Sequence, residues 1–394
     1  MISEKMYELG TKSSVIRELF EYGKKRKAQI GNENVYDFSL GNPSIPAPDA
    51  VNQAYLKLIN EVDPIVLHGY TSAQGDMGVR GKIAQYISSQ YGCEANASQI
   101  YMTCGAAASL TITLKAIVNE GDEIIVLAPY FPEYKVFAEN AGAMLNVVKC
   151  RQDNFQIDLD ALDKAINKHT KAIIVNSPNN PTGVVFSEET INKLARLLRK
   201  KQNELGSVIY IIADEPYREL VYEGTEVPYI PNYYDNTVVC YSYSKSLSLP
   251  GDRIGYIFVS PKVTEAQKVF AAVCGAGRSL GFVCAPALTQ LVIGECIGEV
   301  ADIAAYDRNR TLLYDSLTEM GYEAVKPDGA FYLFVKAPCG DAGAFSEAGK
   351  KHEILFVPSD SFGYEGYVRI SYCVSYDTIQ RSLPAFKALI EEYK

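Results

Sequence analysis

The sequence predicts an α/β protein: a large domain with a mostly parallel sheet covered by helices, joined to a smaller α+β domain. Three observations predict it. Short apolar runs alternate with helical patterns through the middle of the chain, the texture changes after about residue 285, and no internal repeat or long Gly/Ser linker interrupts the pattern. With 394 residues, 47% of them hydrophobic, there is material for a large buried core and for two domains.

Each element follows from its residues. Glu123 to Ala128, Ala172 to Asn176, Val208 to Ala213, Thr237 to Tyr241 and Ile254 to Val259 are apolar runs of strand length. Residues with no polar alternation fit strands covered on both faces. Between them lie helical stretches such as Glu188 to Glu204, with Ile191, Leu194, Ala195, Leu197 and Leu198 on one side. After residue 285 a long helical region is expected to run to Met320. Strands are expected at Ala330 to Val335, Ile354 to Val357 and Tyr367 to Tyr372, and a last helix from Asp377. The expected division is 46–285 for the large domain and 1–45 with 286–394 for the small one.

Composition removes several function classes. The net charge of −9 repels phosphate backbones, so nucleic acid is not expected as a partner. The one basic run, Lys24 to Lys27, follows Val15, Ile16, Leu19 and Phe20 at helical spacing and reads as a solvated helix end. The nine cysteines form no C-x-x-C pair, and several sit in apolar runs, as in Val238-Val239-Cys240. Buried free thiols in a reducing compartment explain them. The segment Met1 to Lys5 leads into no apolar stretch of signal-peptide type, and no run is long enough to span a bilayer. A cytoplasmic protein without membrane partners is expected. The three histidines, 68, 169 and 352, show no metal-ligand or Ser-His pattern, so no metal is expected.

Chemistry in open α/β sheets gathers at the carboxyl ends of the strands. After Ala172–Asn176 comes Ser177-Pro178-Asn179-Asn180-Pro181-Thr182-Gly183. After Val208–Ala213 comes Asp214-Glu215-Pro216-Tyr217. After Thr237–Tyr241 comes Ser242-Tyr243-Ser244-Lys245, with Arg253 downstream. Gly105-Ala106-Ala107 opens a helix. An amide, a carboxylate, a phenol, a lysine and an arginine thus reach one edge. Alone, each has a plain structural explanation as a turn, a cap or a surface group. Together they meet the needs of pyridoxal 5′-phosphate chemistry: an amine of lowered pKa, a buried acid for the pyridine nitrogen, a phenol beside the ring hydroxyl, and helix-end amides with a fixed cation for phosphate.

From Ser39-Leu40-Gly41-Asn42-Pro43 to Tyr367-Val368-Arg369-Ile370, this set resembles the class I/II aminotransferases of pyridoxal-phosphate fold type I, the aspartate aminotransferase family. The resemblance implies that Lys245 binds the cofactor as a Schiff base and shuttles the proton between the substrate α-carbon and cofactor C4′. It implies that Asp214 pairs with the pyridine nitrogen, and that Asn180 and Tyr217 contact the ring oxygen. Phe131 would stack on the ring, and Gly105, Ala106, Ala107, Ser242, Ser244 and Arg253 would hold the phosphate. Arg369, helped by Asn180 and Gly41, would take the substrate α-carboxylate. Tyr70 would reach the phosphate of a partner subunit, which implies a homodimer with shared sites.

The expected reaction moves an amino group between an amino acid and a 2-oxo acid. Arg278, past Lys245 in a loop leading to Pro286, resembles the partner-subunit arginine that holds a distal carboxylate, so aspartate or glutamate is favoured. The other reading of Arg278 is a surface arginine. Alternatives are an aromatic, alanine or broad-range aminotransferase, or a carbon–sulfur β-lyase on the same scaffold. A cofactor-sensing transcription regulator would need a further N-terminal DNA-binding domain, for which the early Ser39–Pro43 motif leaves no room.

Overall fold

Valine, isoleucine and alanine crowd the central apolar runs, and each run is a strand with both faces covered. The structure, a computed structural model, describes residues 2–12 and 14–394. Seven strands form the main sheet in the order Ile100–Thr103, Gly255–Val259, Thr237–Ser242, Tyr210–Asp214, Thr170–Asn176, Glu123–Ala128 and Met144–Lys149. Alternate residues serve two cores. Ile125, Leu127, Ile173 and Val175 pack with Leu194 and Leu198 of helix Glu188–Leu205. Ile124, Val126, Ala172 and Ile174 pack with helices Ala106–Ile117 and Ala266–Leu280 on the other side. Side chains that alternate faces, with both faces apolar, explain the continuous hydrophobic runs.

One strand runs backwards. Gly255–Val259 is antiparallel to both neighbours, Ile100–Thr103 and Thr237–Ser242, whereas the remaining pairs are parallel. Its amino end therefore meets the carboxyl ends of the other strands, which delivers Arg253 to the edge that carries Asp214 and Lys245. Gly255 is required there, because a Cβ would overlap the Tyr241 carbonyl.

A second body is built on the antiparallel strands Val357–Pro358, Tyr367–Ser371 and Tyr332–Lys336, covered by helices Ile303–Met320 and Tyr376–Glu391. The N-terminal segment joins it. Tyr36–Asp37 pairs in parallel with Ile354–Leu355, and Leu19 of helix Val15–Ile30 packs on Val357 and Phe362. Within that helix Lys24 and Lys25 are exposed, while Arg26 pairs with Glu353 and Lys27 with Asp37 at 2.9 Å. Among the described residues, no helix is long and apolar enough to cross a membrane.

Three expectations about elements are corrected. The helical region after residue 285 is two helices, Ala287–Glu295 and Ile303–Met320, parted by a turn with Gly298 at φ +90°. The first of them buries Val292 and Ile293 in the core of the large sheet, so residues 287–296 pack with that sheet. The run Ile354 to Val357 is two short strands pairing with different partners, the switch falling at Phe356, which belongs to neither.

Immediately after Asp214, Glu215 and Arg218 form a buried pair, with both guanidinium contacts at 2.6 Å and exposures of 2% and 5%. The guanidinium lies 5.0 and 4.9 Å from the ring centres of Tyr91 and Tyr229. Removing one partner strands the other charge in the interior. Arg218→Met should cost about 3–5 kcal/mol, read as a lower urea midpoint, and Arg218→Met with Glu215→Leu should recover much of it. An unchanged midpoint in the single variant would contradict this reading of the pair.

Candidate active site

Lys245 sits in a one-turn helix, Tyr243–Ser246, that follows its strand without a loop. The Ser242 hydroxyl caps this turn by accepting from the Ser244 N–H at 3.1 Å. The Lys245 Nζ donates to the Gly41 carbonyl at 2.7 Å. Among the described residues, no carboxylate hydrogen-bonds to it. Burial lowers its pKa to about 8; the neighbouring Arg369 and Arg253 push the same way, and Cys373 opposes them.

Asp214 is the last residue of its strand and is 4% exposed. The Tyr134 hydroxyl donates to Oδ2, while Oδ1 is buried with no partner. Burial pushes the carboxyl up to about 7, and the Tyr134 bond works against that rise. Asn176 holds the backbone here: its Nδ2 donates to the Asp214 carbonyl at 2.9 Å, and its Oδ1 accepts from the Asn180 N–H at 2.8 Å.

Arg369 comes from the small sheet and is 2% exposed. Its Nη1 donates to Asn180 Oδ1 at 3.1 Å and its Nη2 to the Ser39 carbonyl at 2.6 Å. Nε has no partner, and none of these contacts is a carboxylate. The rings of Tyr332 and Phe362 lie 4.7 and 5.3 Å from the guanidinium. A buried guanidinium left without an anion is suited to an anion brought from outside.

The fourth group is an anion cradle. Helix Ala106–Ile117 starts at Gly105, at φ +88°, and has no side-chain cap, which leaves first-turn N–H groups free. Gly105 suits this position because its φ of +88° strains any other residue, and a Cβ would also lie 3.0 Å from the Arg253 Nη2. That guanidinium donates to the carbonyls of Pro250 at 2.9 Å and Cys104 at 3.2 Å. The Ser242 and Ser244 hydroxyls are 2.7 Å apart beside it.

These groups line one cavity of about 300 Å³. Around it stand Gly41, Ala106, Ala107, Phe131, Asn180, Asp214, Tyr217, Ser242, Ser244, Lys245, Arg253 and Arg369, all anticipated from the sequence. Gly105 caps the helix behind the lining. Pyridoxal 5′-phosphate fits the residues present: the orphaned Asp214 Oδ1 can accept from a ring N–H, the cradle can take a phosphate, and Lys245 opens on the same cavity.

Two anticipated residues lie elsewhere. Tyr70 is 98% exposed, and Arg278 is exposed in the last turn of helix Ala266–Leu280 rather than in a loop. The segments that carry them are tied together through residues 282–284. The Cys284 thiol lies 3.4 Å from the Thr71 carbonyl, and the Phe282 N–H donates to the Gly277 carbonyl at 2.9 Å. Tyr134, Asn176 and Tyr332 were not anticipated. Tyr134 follows Phe131 by one helical turn, a spacing that could have suggested a shared face; Asn176, directly before the quoted motif, and Tyr332 carried no signal of their own.

Comparison with known proteins gives a consistent result. The family model "Aminotransferase class I and II" matches residues 32–386. A crystal structure of an amino transferase from Eubacterium rectale superposes with a TM-score of 0.98 at 56% identity, covering 100% of this chain and 99% of the other. The aspartate aminotransferase of Thermotoga maritima is 30% identical over 97% of both chains. Aromatic-amino-acid aminotransferase 2 of Thermococcus litoralis is 27% identical over 97% of this chain and 96% of its own.

The Tyr134 bond stabilises ionised Asp214, so its loss should favour the protonated acid. In Tyr134→Phe the carboxyl midpoint should rise from about 7 by about one unit, followed by the infrared carbonyl band that Asp214→Asn abolishes. A midpoint that stays or falls would contradict this role.

Proposed function

This chain belongs to the class I and II aminotransferases and is a pyridoxal 5′-phosphate-dependent transferase of amino groups, and on that premise we propose the following roles and substrates. The bound cofactor supplies an aldehyde that condenses with amines and a ring that draws electrons from the bond being broken. Lys245 is the attachment point and the base, and its Nζ takes the proton from the α-carbon of the amino donor. A pKa near 8 leaves part of the amine neutral at physiological pH. Asp214 holds the ring nitrogen protonated through Oδ1. Tyr217 and Asn180 contact the ring oxygen, Phe131 stacks on the ring, and the Gly105–Ala107 turn, Ser242, Ser244 and Arg253 take the phosphate.

The observation that carries the substrate reading is Arg369, buried without an acid partner and opening on the same cavity as Lys245. It binds the α-carboxylate of the amino acid or 2-oxo acid, with Asn180 and the Gly41 backbone beside it. Aspartate or glutamate is the favoured donor, its distal carboxylate held by Arg278 of a second copy of the chain. The name of the Thermotoga relative supports this. So does the exposure of Tyr70 and of Ile65 and Val66 in the helix just before it. A homodimer would cover that apolar surface and bring Tyr70 to the partner's phosphate site. Aromatic donors are the second reading, favoured by the cavity wall of Ile16, Leu40 and Leu110 and by the name of the Thermococcus relative.

Two further expectations stand as proposals. The two bodies are domains, with the boundary after Cys296 rather than at residue 285, because helix Ala287–Glu295 packs in the large-sheet core. The protein works in the cytoplasm, where its nine free thiols, five of them buried, stay reduced.

The two arginines should separate in a donor panel with 2-oxoglutarate as acceptor. Arg369→Ala should weaken every amino acid. Arg278→Ala should weaken only aspartate and glutamate, by about 2–5 kcal/mol in kcat/KM if the ion pair is desolvated. An aspartate-to-alanine preference unchanged in Arg278→Ala would move the enzyme to the aromatic, alanine or broad-range reading. Pyruvate and ammonia formed from cystathionine without a 2-oxo acid would indicate the β-lyase.

A further inference from the structure

We propose that Tyr332 is a positioning residue that aims the Tyr217 phenol with its hydroxyl and holds the Arg369 guanidinium with its ring, so that one side chain sets both ends of the site. This rests on the roles assigned above to Tyr217 and Arg369.

The placement is fixed by the small sheet. Tyr332 pairs with Ser371, and Arg369 pairs with Phe334, in the antiparallel strands Tyr332–Lys336 and Tyr367–Ser371. Residues two apart in a strand share a face, so Tyr332 and Arg369 are diagonal neighbours. The ring centre lies 4.7 Å from the guanidinium carbon. The opposite end of the same ring reaches the cofactor side: its hydroxyl is 2.9 Å from that of Tyr217, with the two rings edge to face at 79°. The hydroxyl also rests against Gly41, where any Cβ would overlap it, and the Gly41 carbonyl takes the Lys245 bond. Tyr332 is 2% exposed, so water does not compete.

Chemistry fixes the direction of the phenol pair. Each phenol has one proton to donate. When Tyr217 donates to the cofactor ring oxygen it accepts from Tyr332, whose hydroxyl has no other hydrogen-bond acceptor among the described residues. Burial holds the Tyr332 phenol up at about 12, so it keeps its proton. A chain of two donors polarises the second bond, and the Tyr332 hydroxyl thereby strengthens what Tyr217 gives to the ring oxygen. When the ring oxygen is better stabilised as an anion, the cofactor chromophore gives up its proton at lower pH.

The test uses protein loaded with pyridoxal 5′-phosphate and two variants that divide the side chain. Tyr332→Phe removes the hydroxyl and keeps the ring; Tyr332→Leu removes both. The pH midpoint of the visible cofactor band should rise in both variants by about half a unit. Propionate, an unreactive carboxylate, should bind Tyr332→Phe within about twofold of wild type and Tyr332→Leu about fivefold more weakly, since only the second loses the cation–π contact. A wild-type midpoint in Tyr332→Phe overturns the hydroxyl role, and equal propionate affinity in the two variants overturns the ring role. A side chain that merely filled space would lower thermal stability without moving the midpoint. Wild-type protein that takes up no cofactor, or cofactor fixed by borohydride to a lysine other than Lys245, overturns the underlying roles and this proposal with them.

Discussion

Half-buried Lys245 and buried Arg369 and Asp214 line one cavity, and among the described residues none has an opposite charge as a hydrogen-bond partner. Taking an ion out of water costs several kcal/mol unless it is paired and hydrogen-bonded. The surroundings provide only part of that compensation. Lys245 has one carbonyl and the rings of Phe331 and Tyr217, Arg369 has a carbonyl, an amide oxygen and two ring faces, and Asp214 has a single phenol. The remainder of the cost appears as shifted proton affinities, down for Lys245 and up for Asp214. A ligand with a carboxylate and a protonated ring nitrogen would relieve both. This arrangement stores recognition in groups whose own needs the fold leaves unmet.

Holding such groups apart requires rigid backbone from several directions. Asp214 and Lys245 come from parallel strands, and the reversed strand brings Arg253 to the same edge. The small sheet supplies Arg369 and Tyr332, and the N-terminal segment supplies the Ser39 and Gly41 carbonyls. That segment is anchored by the Tyr36–Asp37 pairing and by Asp37 accepting from Ser39 Oγ at 2.6 Å. Each of the three parts therefore carries a group the other two need. Glycine stands where backbone or side chains pass too closely for a Cβ, at Gly41 and Gly255, and where φ is positive, at Gly105.

Most of the site was readable because strand ends converge and the residues after each strand could be listed. Asp214, Lys245 and Asn180 were found that way. Arg253 was found by its spacing from Lys245, but the reason for its position, an antiparallel strand, has no signature in the run Ile254 to Val259. Tyr134 and Tyr332 were missed because their roles are contacts across long sequence separations, and a tyrosine in an apolar run looks like core. The split at Phe356 was missed because four apolar residues read as one strand whichever partners they pair with. Arg278 was read as a loop residue because the resemblance places that arginine in a loop leading to a proline, yet packing of Val273 and Ala276 on the sheet keeps the helix running to Leu280.

The account turns on Lys245 being the amine that the fold has desolvated for attachment. The most direct measurement is borohydride reduction of the protein loaded with pyridoxal 5′-phosphate, followed by peptide mapping by mass spectrometry. The account predicts a single stable adduct on the peptide containing Lys245, absent from Lys245→Ala. An adduct centred on another lysine, or one spread over exposed lysines with Lys245 unmodified, would contradict it.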